Sequence, residues 1–323
     1  MNFFKKKLTP SLYHGHNKKP PFFEGWYYKL ISENQKHRFA IIPGIFLGND
    51  GYAFIQVLDG SNGKSDFFKF PIEQFQAAKD RFDVQIGNNR FQLEEVSLNI
   101  QSQEKSIAGN FKFEGINGWP VTITSPGIMG WYAWIPKMEC YHAVLGFDHH
   151  ISGSLNFEDR ILDFTNGRGY IEKDWGQSFP SGYVWMQSNH FSETGISLTA
   201  SAAMIPWIGH AFRGFIVGLW IQGELYRFAT YTGAQLSNLS ISDQQVSMKF
   251  NDQNYTLKII AERNETGLLK GPTRTAMDMR VAESLTSSIH VRLTDSNNSL
   301  IFEDTGHHSG LEVAGDIPRL LAG

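Results

Sequence analysis

Short apolar runs return along this chain about every ten residues, with turn residues between them, and that rhythm restricts the folds open to it. Phe22 to Ile31, Arg38 to Leu47 and Tyr52 to Leu58 are separated by Glu33-Asn34 and by Gly48-Asn49-Asp50-Gly51, the latter a strong hairpin signal. Phe67 to Phe70, Phe82 to Ile86, Phe91 to Leu93, Val96 to Ile100 and Ile107 to Phe113 continue the series. Ile72 to Ala78 suits a turn or two of helix. Strands are expected again at Glu139 to Phe147, Ser152 to Phe157 and Arg168 to Trp175. A similar run then extends from Tyr183 to His190 through to Leu300 to Glu303. Gly127 to Pro136 is too aromatic and too kinked for a simple strand and reads as a loop over a cavity mouth. No long helical period interrupts the pattern. The spacing predicts an all-β sandwich or barrel architecture, and about twenty strands exceed one small barrel, so two barrels in tandem are expected. The division falls near residue 165: a flexible leader over 1–20, a first barrel over 21–165 and a second over 166–323. Glu24-Gly25-Trp26 and Glu172-Lys173-Asp174-Trp175, each an acid followed closely by Trp, suggest matching openings of the two halves.

Composition narrows the function. Aromatic residues make up 14% of the 323, and 31 are Gly, which suits strands and tight turns. A net charge of −3 gives no basic footprint for nucleic acid. The single cysteine, Cys140, excludes an intramolecular disulfide and a cysteine-based zinc site, and reads as a small buried hydrophobe. No stretch reaches the roughly 20 apolar residues of a membrane helix. The chain therefore reads as soluble and cytoplasmic. Phe3, Phe4 and Lys5 to Lys7 form a patch able to touch a membrane surface transiently, and no oligomeric state is implied.

Tyr170 to Pro180 carries the densest chemistry. At strand period Tyr170, Glu172 and Asp174 point one way, and Ile171, Lys173 and Trp175 the other. Two carboxylates then share a face, roughly 7 Å apart. Should that face line a closed cavity, desolvation and mutual repulsion would raise the proton affinity of at least one of them. A carboxylic acid kept protonated among aromatic rings is a reagent for protonating an alkene. The same spacing also suits a charged run on a surface strand.

Several segments together resemble the tocopherol cyclase family. They are Pro21-Phe22-Phe23-Glu24-Gly25-Trp26-Tyr27-Tyr28-Lys29, Met138-Glu139-Cys140-Tyr141-His142, Asp148-His149-His150-Ile151-Ser152-Gly153 and Tyr170 to Pro180. Phe302-Glu303-Asp304-Thr305-Gly306 and Gly310-Leu311-Glu312-Val313 follow near the C-terminus. A more distant likeness joins Glu24-Gly25-Trp26-Tyr27, Glu172-Lys173-Asp174-Trp175 and Gly310-Leu311-Glu312 to carotenoid hydratases and other lipocalin-like two-barrel proteins. One position departs from that pattern: Gly25 stands where the opening motif has its first Trp, leaving room in the first barrel. The resemblance implies two lipocalin-like antiparallel β-barrels and a redox-neutral ring closure. In that reaction a prenylated benzoquinol becomes a chromanol when its phenol oxygen adds across the nearest chain double bond.

Such a reaction needs an acid for the alkene, an acceptor for the phenol proton, aromatic faces for the cation and a pocket that folds the chain. Asp174 is the expected acid, with Glu172 as its coupled neighbour, and Glu139 and His142 are candidates for the phenol side. Glu24, Trp26, Tyr27, Trp134, Tyr170, Trp175, Trp185, Gln187 and Glu312 are the candidates for holding substrate. No cofactor is required, and no metal. His149-His150 and His307-His308 are neighbours that diverge along a strand and chelate poorly as pairs. The expected ligand is a hydrophobic small molecule, a prenylated quinol or other isoprenoid. Hydration of an isoprenoid double bond and non-catalytic carriage of an apolar molecule are the competing readings.

Overall fold

A computed structural model describes residues 3–103, 105–264 and 267–323. The chain forms two compact units, one of Met1–Phe179 with Lys270–Met279, the other of Pro180–Leu269 with Arg280–Gly323. Both are antiparallel and lipocalin-like, as expected, and among the described residues helix is confined to α1 (Phe3–Lys7), α2 (Ile317–Ala322) and short 3-10 turns.

The first unit holds β1 (Phe22–Ile31), β2 (Arg38–Leu47), β3 (Tyr52–Asp59), β4 (Lys64–Pro71), β5 (Phe75–Ala77) and β6 (Asp83–Ile86). It continues with β7 (Asn89–Gln92), β8 (Glu95–Gln101), β9 (Ser106–Glu114), β10 (Cys140–Phe157), β11 (Arg160–Asp163) and β12 (Gly167–Gly176). Twelve strands pair in the order β4-β3-β2-β1-β12-β10-β9-β8-β7-β6-β5, with β11 beside β10. The edge strands β4 and β5 are consecutive in sequence, joined by the 3-10 turn Ile72–Gln74. The sheet therefore curls back on itself without a closing ladder. β1 and β2 begin and end where the apolar runs do, because turn residues flank each run and half of each strand faces a core.

The second unit repeats this topology. Its strands are β13 (Gly182–Ser188), β14 (Ile196–Trp207), β15 (His210–Ile221), β16 (Glu224–Ala229) and β17 (Gln235–Ile241). The remainder are β18 (Gln245–Asn251), β19 (Tyr255–Glu262), β20 (Gly267–Gly271), β21 (Met279–Asp295) and β22 (Leu300–Gly315). They pair as β16-β15-β14-β13-β22-β21-β19-β18-β17, with β20 beside β21. Again the edges, β16 and β17, are consecutive, linked through the 3-10 turn Thr230–Thr232.

Three differences from the sequence reading stand out. β12 lies between β1 and β10 at the centre of the first sheet, so a division near residue 165 falls ahead of a central strand. The strand that starts the second sheet as β1 starts the first is β13, and Glu172 to Trp175 sits on the strand that ends the first. The leader is also packed: Leu12, Tyr13 and His14 are buried. Glu139 to Phe147 and Ser152 to Phe157, read as two strands, belong largely to the single β10. Its register shifts between Val144 and Gly146 and again before His149, so the strand bends where polar residues suggested a break.

Side chains fill both sheet interiors. In the first, Trp26 stacks on Phe82 at 5.5 Å and Tyr28 lies 6.1 Å from Phe91, with its hydroxyl donating to Gln92 O at 2.8 Å. These contacts reach from β1 to the strands across the curl, so the face bearing Trp26 and Tyr28 is the concave one. In the second, Val184 and Met186 of β13 join a continuous apolar core with Leu198, Val217, Phe250 and Val291. Each such side chain contributes about 1.5–3 kcal/mol by leaving water.

Candidate functional site

Register decides which candidates meet. β12 pairs with β1 on one side and β10 on the other, which aligns Gly25, Asp174 and His142 in one row and Tyr27, Glu172 and Val144 in the next. Residues directly opposite one another share a face. Asp174, Glu172, Tyr170, Tyr27 and His142 thus lie together on the convex face of the first sheet, turned away from the filled interior. Lys29, opposite Tyr170 and fully buried, shares this face and was missed in the sequence, where a lysine beside two tyrosines looks like ordinary surface.

His142 sits between the two carboxylates. Its Nδ1 is 2.9 Å from Asp174 Oδ1, and its Nε2, which makes no hydrogen bond, is 3.5 Å from Glu172 Oε2. Tyr170 donates its hydroxyl to the same Glu172 oxygen at 2.5 Å. Burial penalises the imidazolium, but Asp174 and Glu172 together outweigh it and lift His142 to about 9. At neutral pH the histidine is therefore a cation, set between the two carboxyl groups. Mutual repulsion of the carboxylates, the effect expected from sequence, is relieved by the group between them. The Asp174 side chain remains 26% exposed and is the open end of the triad, against 6% for Glu172.

Beside Asp174 the sheet is open at Gly25, while the Phe54 ring covers Gly44 next to it. Gly25 opposes Asp174 across β1, and Gly44 opposes Gly25 across β2. A Cβ on Gly25 would meet only Pro43 O, at 3.7 Å. The room left by the missing Trp is thus on the Asp174 face rather than inside the barrel. Phe23, Phe46, Phe54 and Met277 form an apolar wall on the same side, joined by Phe179 and Cys140. The segment Lys270–Met279 is tied there by Gln56, which exchanges two 2.8 Å hydrogen bonds with the Lys270 backbone. Cys140 Sγ lies 3.8 Å from Asp174 Oδ1, and burial, Asp174 and Glu139 all push its thiol up, so it stays neutral.

The remaining candidates separate. Glu139 accepts from Ser178 Oγ at 3.2 Å and lies 3.7 Å from Arg274, and burial raises its carboxyl. Glu24, Trp26 and Trp175 are on the concave face with Lys173, a fully buried cation that was not among the candidates. Lys173 pairs with Glu24, donates to Leu12 O at 2.8 Å and lies 4.9 Å from both the Trp26 and Trp175 rings. Burial pulls its ammonium down to about 8 despite Glu24, whose carboxyl is held low by Lys173 and His14 against its own burial. The Glu24 carboxylate also receives the His14 backbone N–H at 2.7 Å, and the His14 ring stacks on Trp175 at 4.1 Å. Only the alternation along β12 hinted at this cluster, because its partners come from the leader. Trp134 belongs to the loop before β10, donating to Ile123 O at 2.9 Å.

Trp185, Gln187 and Glu312 lie in the second unit and do share a face: Trp185 opposes Glu312, and Tyr183 donates to Glu312 Oε2 at 2.8 Å. Glu283, buried completely and opposite Glu312, belongs with them. His149 is buried against Phe113 while its neighbour His150 is exposed, so that pair diverges. The donor atoms of His142, Glu172 and Asp174 all lie within 4.8 Å of one another, a set that can hold either a shared proton or a divalent cation. Among the described residues no helix is long and apolar enough to cross a membrane.

Comparison with known proteins adds a family and a fold. A family model described as tocopherol cyclase-like matches residues 69–315. A probable chloroplastic tocopherol cyclase of Oryza sativa subsp. japonica is 22% identical over 95% of this chain and 78% of its own. Among solved structures, CghA with Sch210972 superposes with a TM-score of 0.58 at 11% identity, covering 92% of this chain and 89% of that one. Kievitone hydratase from Nectria haematococca gives 0.52 at 11%, over 94% and 93%. At such identities these structures establish the shared fold alone.

Proposed function

Because the chain belongs to the tocopherol cyclase-like family, we propose that it closes a ring on a prenylated benzoquinol, adding a phenol oxygen across the nearest chain double bond to give a chromanol. The observation that carries this reading is His142 held between Glu172 and Asp174, with Asp174 opposite the open Gly25 position beside an apolar wall. An apolar substrate settling there displaces water from Asp174. Desolvation disfavours the imidazolium–carboxylate pair relative to neutral imidazole and carboxylic acid, so the proton moves onto Asp174. Asp174 then protonates the alkene: the π bond breaks, a C–H bond forms and a tertiary cation remains. The phenol oxygen attacks that cation, a C–O bond forms, and the phenol proton returns to the triad through His142 or Glu172. Tyr27 offers a ring on the same face, and Glu172 a negative charge, while the cation lasts. Substrate and product are isomers, so no oxidant, cofactor or metal enters the balance.

The test is incubation of the purified protein with reduced prenyl-benzoquinols, followed by mass spectrometry. An isomeric chromanol, made by the native protein and lost in a folded Asp174→Asn variant, supports the reading. A product heavier by one water points to a hydratase acting on an isoprenoid double bond. A bound isoprenoid that never changes, whether or not Asp174 is present, points to a carrier. Turnover abolished by a chelator and restored by a divalent cation would replace the shared proton with a metal at the same three residues.

A further inference from the structure

The leader and the segment before β10 build one surface. Lys7 of α1 donates to Ala133 O, and Phe4 lies 5.8 Å from Trp134, whose indole N–H is bonded to Ile123 O at 2.9 Å. Pro10 lies 3.5 Å from where a Cβ on Gly127 would be. Four large apolar side chains are exposed on these segments: Phe4 at 60%, Val121 at 41%, Ile123 at 73% and Trp131 at 44%. Isolated exposed apolar residues are ordinary, but four on interlocked segments, an aromatic pair among them, form a patch.

The charge carried by these two segments themselves has one sign. Residues 3–23 contain Lys5, Lys6, Lys7, Lys18 and Lys19 and no Asp or Glu; residues 115–138 contain Lys137 and again no acid. This occurs in a chain whose net charge is −3. Lys5, Lys18, Lys19 and Lys137 are exposed. Burial does most to depress the Lys6 and Lys7 ammonium groups; buried Glu24 opposes this at Lys6, and Lys18 is near enough to depress both further. Clustered cations on a folded surface bind a surface that supplies negative charge. Apolar and aromatic tips rimmed by lysines are the arrangement that sits at the boundary between lipid headgroups and acyl chains.

We propose that Phe4, Val121, Ile123 and Trp131, rimmed by Lys5, Lys18 and Lys137, dock this protein on an anionic lipid surface. The inference does not depend on the reaction assigned above. The test is co-sedimentation of the full chain with vesicles of phosphatidylcholine alone or mixed with phosphatidylglycerol, at low and high salt. Binding should favour the phosphatidylglycerol vesicles and weaken with salt. Ile123→Ser with Trp131→Ser should lower the partition about tenfold, and Lys5→Glu with Lys137→Glu should remove the preference for phosphatidylglycerol. These side chains are exposed, so melting curves should stay within a degree or so of the parent. Brominated lipid should quench part of the fluorescence, a part absent in Trp131→Phe. Equal, weak binding to both vesicles, or variants that bind like the parent, would overturn the proposal. So would a salt-insensitive self-association abolished by the serine variants, which would assign the face to a second copy of the chain.

Discussion

At the scale of single residues, the chemistry rests on where protons sit. Folded His142 titrates near 9 against about 6.5 when unfolded, so its contribution to stability is fully present below about 6.5 and is lost as pH rises through 9. Turnover is expected to fall on an alkaline limb near pH 9, read from a pH–rate profile. Asp174→Asn removes the anion that contributes most to lifting His142, so NMR titration of the imidazole in that variant should give a lower pKa. An unchanged titration would show that Asp174 does not act on His142. Lys173 tests a different part of the molecule. Lys173→Met leaves Glu24 buried without its cation, which costs about 3–5 kcal/mol and should appear as a lower denaturation midpoint. Pairing it with Glu24→Gln should restore much of the loss, because the double change leaves no buried charge.

At the scale of elements, β12 sorts two sites by alternation. Tyr170, Glu172 and Asp174 build the triad on one face, and Lys173 and Trp175 bind the leader on the other, inside the curl. Both sets were named by the strand period, but the period could not say which face was concave. That depends on how β1 meets β6 and β7 across the sheet, a matter of curvature that no local pattern records. Gly25 shows the same limit: its departure from the family motif was visible, and its location beside Asp174 was not. Gly25→Val should fold, since only Pro43 O approaches that position. It should raise KM or redirect the product by filling this opening, and kinetics matching the parent enzyme would mean that substrate does not cross this row.

At the scale of the whole molecule, the chain visits the first unit twice. Residues 3–179 form it, and Lys270–Met279 return to its wall through Gln56, Phe179 and Met277. A fragment ending at residue 165 lacks β12 and leaves β1 and β10 without the strand between them. It should show no cooperative unfolding by circular dichroism. A fragment ending at Phe179 keeps the full strand order and should unfold cooperatively, while exposing Phe23, Phe46 and Phe54 to hydrophobic dyes. A cooperative 1–165 fragment would mean that the sheet tolerates loss of its centre.

The sequence by itself determined the all-β class, most strand positions in the first sheet, and the pairing of Glu172 with Asp174, because each follows from period-two alternation and turn chemistry acting over a few residues. It could not place Lys173, Lys29 or the leader, whose partners lie far along the chain, as Leu12 does from Lys173 and Gln56 from Lys270. Tertiary structure alone decided that His142 stands between the carboxylates. Two strands had to come into register before one imidazole could neutralise a repulsion that the residues of a single strand left unanswered.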